Sequence, residues 1–156
     1  MNAIAHSDDD FMREALAEAA RARGNTGDNP PVGCVIVRDG RIIGRGCTQH
    51  QGGAHAEVMA VAQAESTGHS VSGAQVTVTL EPCAFTGRTP PCAGLLIEKK
   101  PARVVIGAID PHPMVNGEGI RRLREAGIEV VVGVMESEVR EFLADWFLRH
   151  EKPGGP

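Results

Sequence analysis

Apolar and polar positions along the chain change period repeatedly, and each change marks an element. Phe11, Ala15, Leu16 and Ala19 recur at the spacing of one helix face, which predicts a helix at about 8–23. Ser7 and Asp10 stand at capping-box spacing, and three aspartates lie where the positive end of the helix dipole would be. The stretch GNTGDNPP, 24–31, ends that helix. Two β-rich runs follow, Val32–Arg38 and Arg41–Cys47, joined by Asp39-Gly40, a two-residue hairpin signal. The first run is apolar on both faces, so both sides of its sheet are expected to be covered. After Gln51-Gly52-Gly53, the segment His55–Glu65 reads as a helix with Val58, Ala62 and neighbouring alanines as its inner face. Gln75–Leu80 alternates as a strand, Glu81–Pro91 is an irregular loop, and Cys92–Lys100 is a short helix with Leu95, Leu96 and Ile97. Ala102–Ile109 is a strand and 110–115 a loop. Gly117–Ala126 is a helix closed by Gly127, Glu129–Val134 a strand, and Ser137–His150 a final helix.

Five strands separated in this order by helices make one sheet. Strands joined through helices imply parallel crossovers with helices on both faces, and the opening hairpin makes the sheet mixed. The predicted class is α/β, a three-layer α/β/α sandwich with a mixed five-stranded sheet, over residues 8–150. Residues 1–7 and 151–156 are expected to be disordered flanks. The 156 residues fit one domain, and no internal repeat is visible.

Composition narrows the function classes. Hydrophobic residues at 42% and charged residues at 23% are ordinary for a globular domain, which sets disorder aside. No apolar run approaches the roughly 20 residues of a membrane span. The start, MNAIAHSDDDF, lacks a basic segment followed by an apolar one, so it does not read as a secretory signal, and a cytoplasmic location is expected. Net charge is −4 with no Tyr, one Trp and four Phe, whereas a dedicated nucleic-acid binder usually carries a basic surplus and stacking aromatics. Arg121, Arg122 and Arg124 therefore read as a solvated helix face. His6, His69 and His150 read as surface residues, Glu81 as structural, and Trp146 and Phe147 as core or dimer contacts.

The cysteines carry the chemistry. Without an export signal, Cys34, Cys47, Cys83 and Cys92 are expected to be reduced, hence either buried filler or metal ligands. Cys34 and Cys47 lie on the hairpin strands and read as packing. Cys83 follows a strand, Cys92 opens a helix, and His55-Ala56-Glu57 sits where a Gly-rich loop becomes a helix. One imidazole and two thiolates make a three-ligand zinc site with a fourth position for water, the open arrangement of a catalytic zinc. These donors suit zinc better than magnesium or calcium, and helix starts favour the thiolate form. Glu57 supplies a carboxylate able to move protons. H-x-E followed by P-C and a further Cys is the zinc-deaminase pattern, here with eight residues between the cysteines.

Longer segments extend the pattern. NPPVGCVIV (29–37), HAEV (55–58), TLEPC (79–83), GRTPPC (87–92) and Asp110-Pro111 together closely resemble the deaminase domain of the riboflavin-pathway bifunctional deaminase–reductases, over about residues 8–150. The GRTPPC segment separates this branch from cytidine deaminases and tRNA adenosine deaminases. The resemblance implies a cytidine-deaminase-like fold, bound Zn2+, a homodimer, and hydrolytic removal of an exocyclic amine from a diaminopyrimidinone carrying ribosyl phosphate. It implies metal ligation by His55, Cys83 and Cys92 and proton transfer by Glu57. A backbone N–H of Cys83 or Ala84 would lie near the reacting oxygen. Asn29, Ala56, Ala84, Phe85, Arg88, Asp110 and His112 would line the substrate site, Arg88 either on a phosphate or ribose or as a brace of its loop.

Three positions depart from the family pattern. Thr48 stands for a His, Ala84-Phe85 for Ser-His, and His112 for the Asn of a D-P-N-P loop. His50 or His112 could compensate. These changes leave the metal chemistry alone and keep guanine, cytosine or cytidine, and pterin-like bases open as substrates. A non-catalytic zinc module is the third reading, disfavoured by Glu57 and by the three-ligand set. The family's reductase domain is not in this sequence, so a natural monofunctional deaminase, a different pathway and a truncation all stay open. A separate reductase is an expected pathway partner.

Overall fold

The first helix, α1 (Asp8–Ala22), is capped as its sequence predicts. In the computed structural model, which describes residues 7–50, 53–84 and 91–151, Ser7 Oγ accepts from the Asp10 N–H at 3.2 Å and the Asp10 carboxylate accepts from the Ser7 N–H at 3.1 Å. Ser7, expected in the disordered flank, is thus an ordered cap. Glu151, expected in the other flank, pairs with Arg140 at 2.7 Å. The rest of both flanks, including His6, lies outside the described residues.

The sheet runs β2-β1-β3-β4-β5, from β1 (Gly33–Arg38), β2 (Arg41–Cys47), β3 (Gln75–Leu80), β4 (Arg103–Ala108) and β5 (Glu129–Val132). β1 is antiparallel to both β2 and β3, and β3, β4 and β5 are parallel. The hairpin turns at Asp39-Gly40, both with positive φ (52° and 74°), the backbone that a tight two-residue hairpin requires. Helices α2 (Ala56–Ser66), α3 (Cys92–Lys99) and α4 (Glu118–Glu125) pack together on one face, and α1 and α5 (Glu136–Phe142) on the other. β1 is buried almost throughout, as its two-sided apolar pattern requires. Among the described residues, no helix is long and apolar enough to cross a membrane.

Three expectations change. The inner face of α2 is Ala56, Glu57, Ala60, Val61 and Ala64, while Ala62 is exposed and Val58 half-buried. The reason lies in β2: a Cβ on Gly44 would meet Ala60 O at 2.3 Å, and one on Gly46 would meet Ala56 O at 2.5 Å. Strand and helix backbones approach so closely that only the alanine stripe fits between them. β5 ends at Val132, two residues early, where Gly133 turns with φ 98° and donates to Ile106 O at 2.9 Å. The final helix is two helices, α5 and α6 (Ala144–His150), divided at Leu143 with φ −100° and ψ 26°. Val139, Leu143 and Phe147 keep one buried stripe across the divide. The divide accompanies a tertiary bond, Trp146 Nε1–H to Asp110 Oδ1 at 2.8 Å.

Candidate active site

The carboxyl ends of β3 and β4, the start of β1 and the first turns of α2 and α3 meet at one edge of the sheet. That edge carries the chemistry. His55 is the N-cap of α2, and Glu57 lies in its first turn. Cys83 follows β3, and Cys92 is the first residue of α3. Cys92 N–H donates to Cys83 Sγ at 3.2 Å and Ala93 N–H to Cys83 O at 2.9 Å, so the start of α3 grips the residue it faces.

His55 Nδ1 stands 3.7 Å from Cys83 Sγ and 3.3 Å from Cys92 Sγ. All three donor atoms lie within 4.8 Å of one another. Zn–S bonds of about 2.3 Å and a Zn–N bond of about 2.0–2.1 Å at a tetrahedral angle place N and S roughly 3.6 Å apart, so this donor set fits zinc. Charge agrees. The hydrogen bond from Cys92 and the His55 imidazole hold the Cys83 thiol down to about 4, and the same hydrogen bond pushes Cys92 up. Burial, then the Cys83 thiolate, push Glu57 up to about 7. The pocket is short of positive charge, which a divalent cation supplies.

A cavity of about 160 Å³ opens beside the cluster. Asn29, Glu57, Asp110, His112, Val115 and Trp146 are among its lining residues. Asn29 is fixed by Thr26, whose O–H donates to Asn29 O and whose carbonyl accepts the Asn29 N–H at 3.1 Å. Met114 N–H donates to His112 Nδ1 at 3.1 Å, which leaves the ring proton on Nε2. Glu81 is structural as predicted: it accepts from the N–H groups of Asp110 (3.2 Å), Gly117 (2.9 Å) and Ile120 (3.2 Å), tying β3 to the start of α4. Thr48, at the family's His position, is spent on backbone, with its Oγ1 accepting from Val32 N–H at 2.9 Å.

Among the expected substrate residues, the structure brings Asn29, Asp110 and His112 to the cavity. Ala56 and Ala84 are buried beside the ligands without lining it, and Phe85 and Arg88 lie outside the described residues. Cys34 is fully buried, as packing requires, and Cys47 is half-buried on its strand. His69 is exposed, as expected. Sequence reasoning missed two residues. Trp146 packs against the core, as expected, but it also lines the cavity. His150, expected in solvent, is packed against it with ring centroids 4.0 Å apart, and its Nε2 is buried without a hydrogen-bond partner among the described residues. Their helical spacing of four was the available signal, and it says nothing about which loop the pair would meet.

Comparison with known proteins agrees with this geometry. Residues 5–108 match the family model of the cytidine and deoxycytidylate deaminase zinc-binding region. The riboflavin biosynthesis protein RibD of Aquifex aeolicus is 45% identical over 152 residues, 96% of this chain and 42% of that protein. RibD of Escherichia coli is 48% identical over 149 residues, 96% of this chain and 40% of that one. The crystal structure of a diaminohydroxyphosphoribosylaminopyrimidine deaminase/5-amino-6-(5-phosphoribosylamino)uracil reductase from Thermotoga maritima superposes with TM-score 0.88 at 43% identity, over 92% of this chain and 41% of that chain. The chain spans about two fifths of the length of these relatives.

Proposed function

The chain belongs to the cytidine and deoxycytidylate deaminase family, zinc-dependent hydrolases with this fold, and from that premise we propose that it removes the exocyclic amine of a diaminopyrimidinone carrying ribosyl phosphate, as in riboflavin synthesis. The observation that carries the reading is the convergence of His55, Cys83 and Cys92 beside the buried Glu57 at an open cavity. In this reading residues 8–150 form the deaminase unit. His55, Cys83 and Cys92 hold the zinc, which when bound makes water acidic enough to serve as a nucleophile near neutral pH.

Glu57 then does the proton work. It takes the proton of the attacking water and passes it to a ring nitrogen, then takes the proton of the hydroxyl newly bonded to the ring carbon and passes it to the amine, which leaves as ammonia as the carbonyl forms. Burial suits it to both directions, because a carboxyl lifted toward neutrality gives up a proton as readily as it takes one. Asn29, Asp110 and His112 hold the ring edge, the N–H of Cys83 or Ala84 meets the reacting oxygen, and Ala56, Phe85 and Arg88 complete the substrate site. A homodimer and a cytoplasmic location complete the proposal. The first is supported by Leu148 of α6, an apolar side chain 80% exposed, and the second by four unpaired cysteines.

Ammonia release from the phosphoribosyl diaminopyrimidinone, guanine, cytosine and pterins tests the reading. Turnover of the first is expected, with stoichiometric zinc. Glu57→Gln should keep zinc and fold while losing about 10²–10⁴-fold in rate. Full activity in that variant overturns the mechanism. Turnover of another base without turnover of the first overturns the substrate.

A further inference from the structure

One wall of the cavity is built around an indole. Trp146 Nε1–H donates to Asp110 Oδ1 at 2.8 Å, and the same oxygen accepts the His112 N–H at 2.9 Å. Asp110 is only 6% exposed, and its Oδ1 is committed to the two donors that it joins. The His112 ring lies nearly parallel to the indole, at an interplanar angle of 17° with centroids 6.0 Å apart. The His150 ring packs on the indole from its own helix, one turn on. The indole is thus held at its edge by one hydrogen bond and on its side by an imidazole. His55, Cys83 and Glu57 line the same cavity. The cavity they line is about 160 Å³, and an apolar cavity of about 150 Å³ holds one benzene-sized ring.

We propose that Trp146, pinned by Asp110, is a specificity-determining residue that closes the pocket behind a single six-membered ring and shuts out fused bicyclic bases. Asp110 acts here as a positioning residue, through the indole. This rests on the deaminase reading of the site and adds to it a residue that bounds the size of the heterocycle. A Trp edge fixed by a buried carboxylate makes a rigid stop, unlike a flexible aliphatic side chain, which would yield to a second ring.

Trp146 is the sole tryptophan of the chain, so its emission reports on the pocket without any turnover. Titration of the zinc-loaded protein, and of Glu57→Gln, with 2,4-diaminopyrimidine, guanine and pterin is the first experiment. Saturable quenching by the single-ring base is expected, with at least about tenfold weaker response to the two-ring bases. Equal or tighter response to the two-ring bases overturns the proposal. The second experiment measures kcat/KM on single-ring and two-ring amino-heterocycles in the wild type, Trp146→Ala, Trp146→Phe and Asp110→Asn. The ratio of two-ring to single-ring kcat/KM should rise at least about tenfold in Trp146→Ala and less in Trp146→Phe. In Asp110→Asn it should rise partway, with a shifted emission maximum. A loss of folded protein lowers both rates together and leaves the ratio fixed, so an unchanged ratio in Trp146→Ala overturns the assignment. Failure of the deaminase reading has a different signature, in which Glu57→Gln matches the wild type while the fluorescence preference persists.

Discussion

At the scale of single residues, the site separates into groups that do chemistry and groups that hold them. Glu81 belongs to the second kind. Its carboxylate satisfies three N–H groups at the head of α4 and its loop, and it precedes Pro82-Cys83 directly. Burial pushes its carboxyl up, while the donors from Gly117, Ile120 and Asp110 pull the other way. Glu81→Gln replaces an acceptor oxygen by an NH2 facing N–H donors. That change should cost about 1–3 kcal/mol in denaturant unfolding, because buried donors are left unmatched. An unchanged midpoint would mean that water takes over the role. His55, Glu57, Cys83 and Cys92 were legible from sequence because donor type, order and flanking turns are local facts. Trp146 and His150 were not. Their roles are set by Asp110, 36 and 40 positions away, and no short-range period encodes that meeting.

At the scale of elements, strand and helix identities followed from periodicity and turn chemistry, and the hairpin at Asp39-Gly40 even fixed its own turn. Facing directions were less legible. Helix α2 reads AEVMAVAQAES, so apolar side chains lie on every side and their pattern names no unique inner face. What decides is the absence of side chains on the strand beneath it. Gly46 meets two backbone atoms at once, since a Cβ there would lie 2.5 Å from both Ala56 O and Ala60 N. Gly46→Ala must therefore push back the N-terminal turn of α2, the turn that carries His55 and Glu57. Overpacking of this kind should cost about 1–3 kcal/mol. It should also weaken zinc retention in competition with a chromophoric chelator, whereas a purely global loss of stability would leave the affinity of the folded fraction unchanged. The divide at Leu143 was illegible for a related reason: the segment has no Pro or Gly, and its buried stripe runs straight through.

At the scale of the whole molecule, Cys83 and Cys92 lie 28 and 37 positions beyond His55, and the three proposed metal ligands join two helix starts to the end of a central strand. A cation there crosslinks the edge of the sheet where β1, β3 and β4 present their loops. Binding that favours the folded state contributes RT ln(1 + [L]/Kd), about 2.7 kcal/mol at a free concentration of 100 Kd. For a chain of this length, each kcal/mol moves the melting temperature by roughly 2–4 °C. Chelation should therefore lower the melting temperature by about 5–10 °C in calorimetry and abolish ammonia release, with both restored by one equivalent of zinc. The five-stranded core should survive as folded apo protein, because its apolar packing is independent of the cluster. Cys83→Ala is the control: it should melt near the chelated wild type and gain nothing from added zinc. A wild type whose melting is indifferent to chelation, with zinc verifiably removed, would mean that the metal is held by an edge already rigid without it.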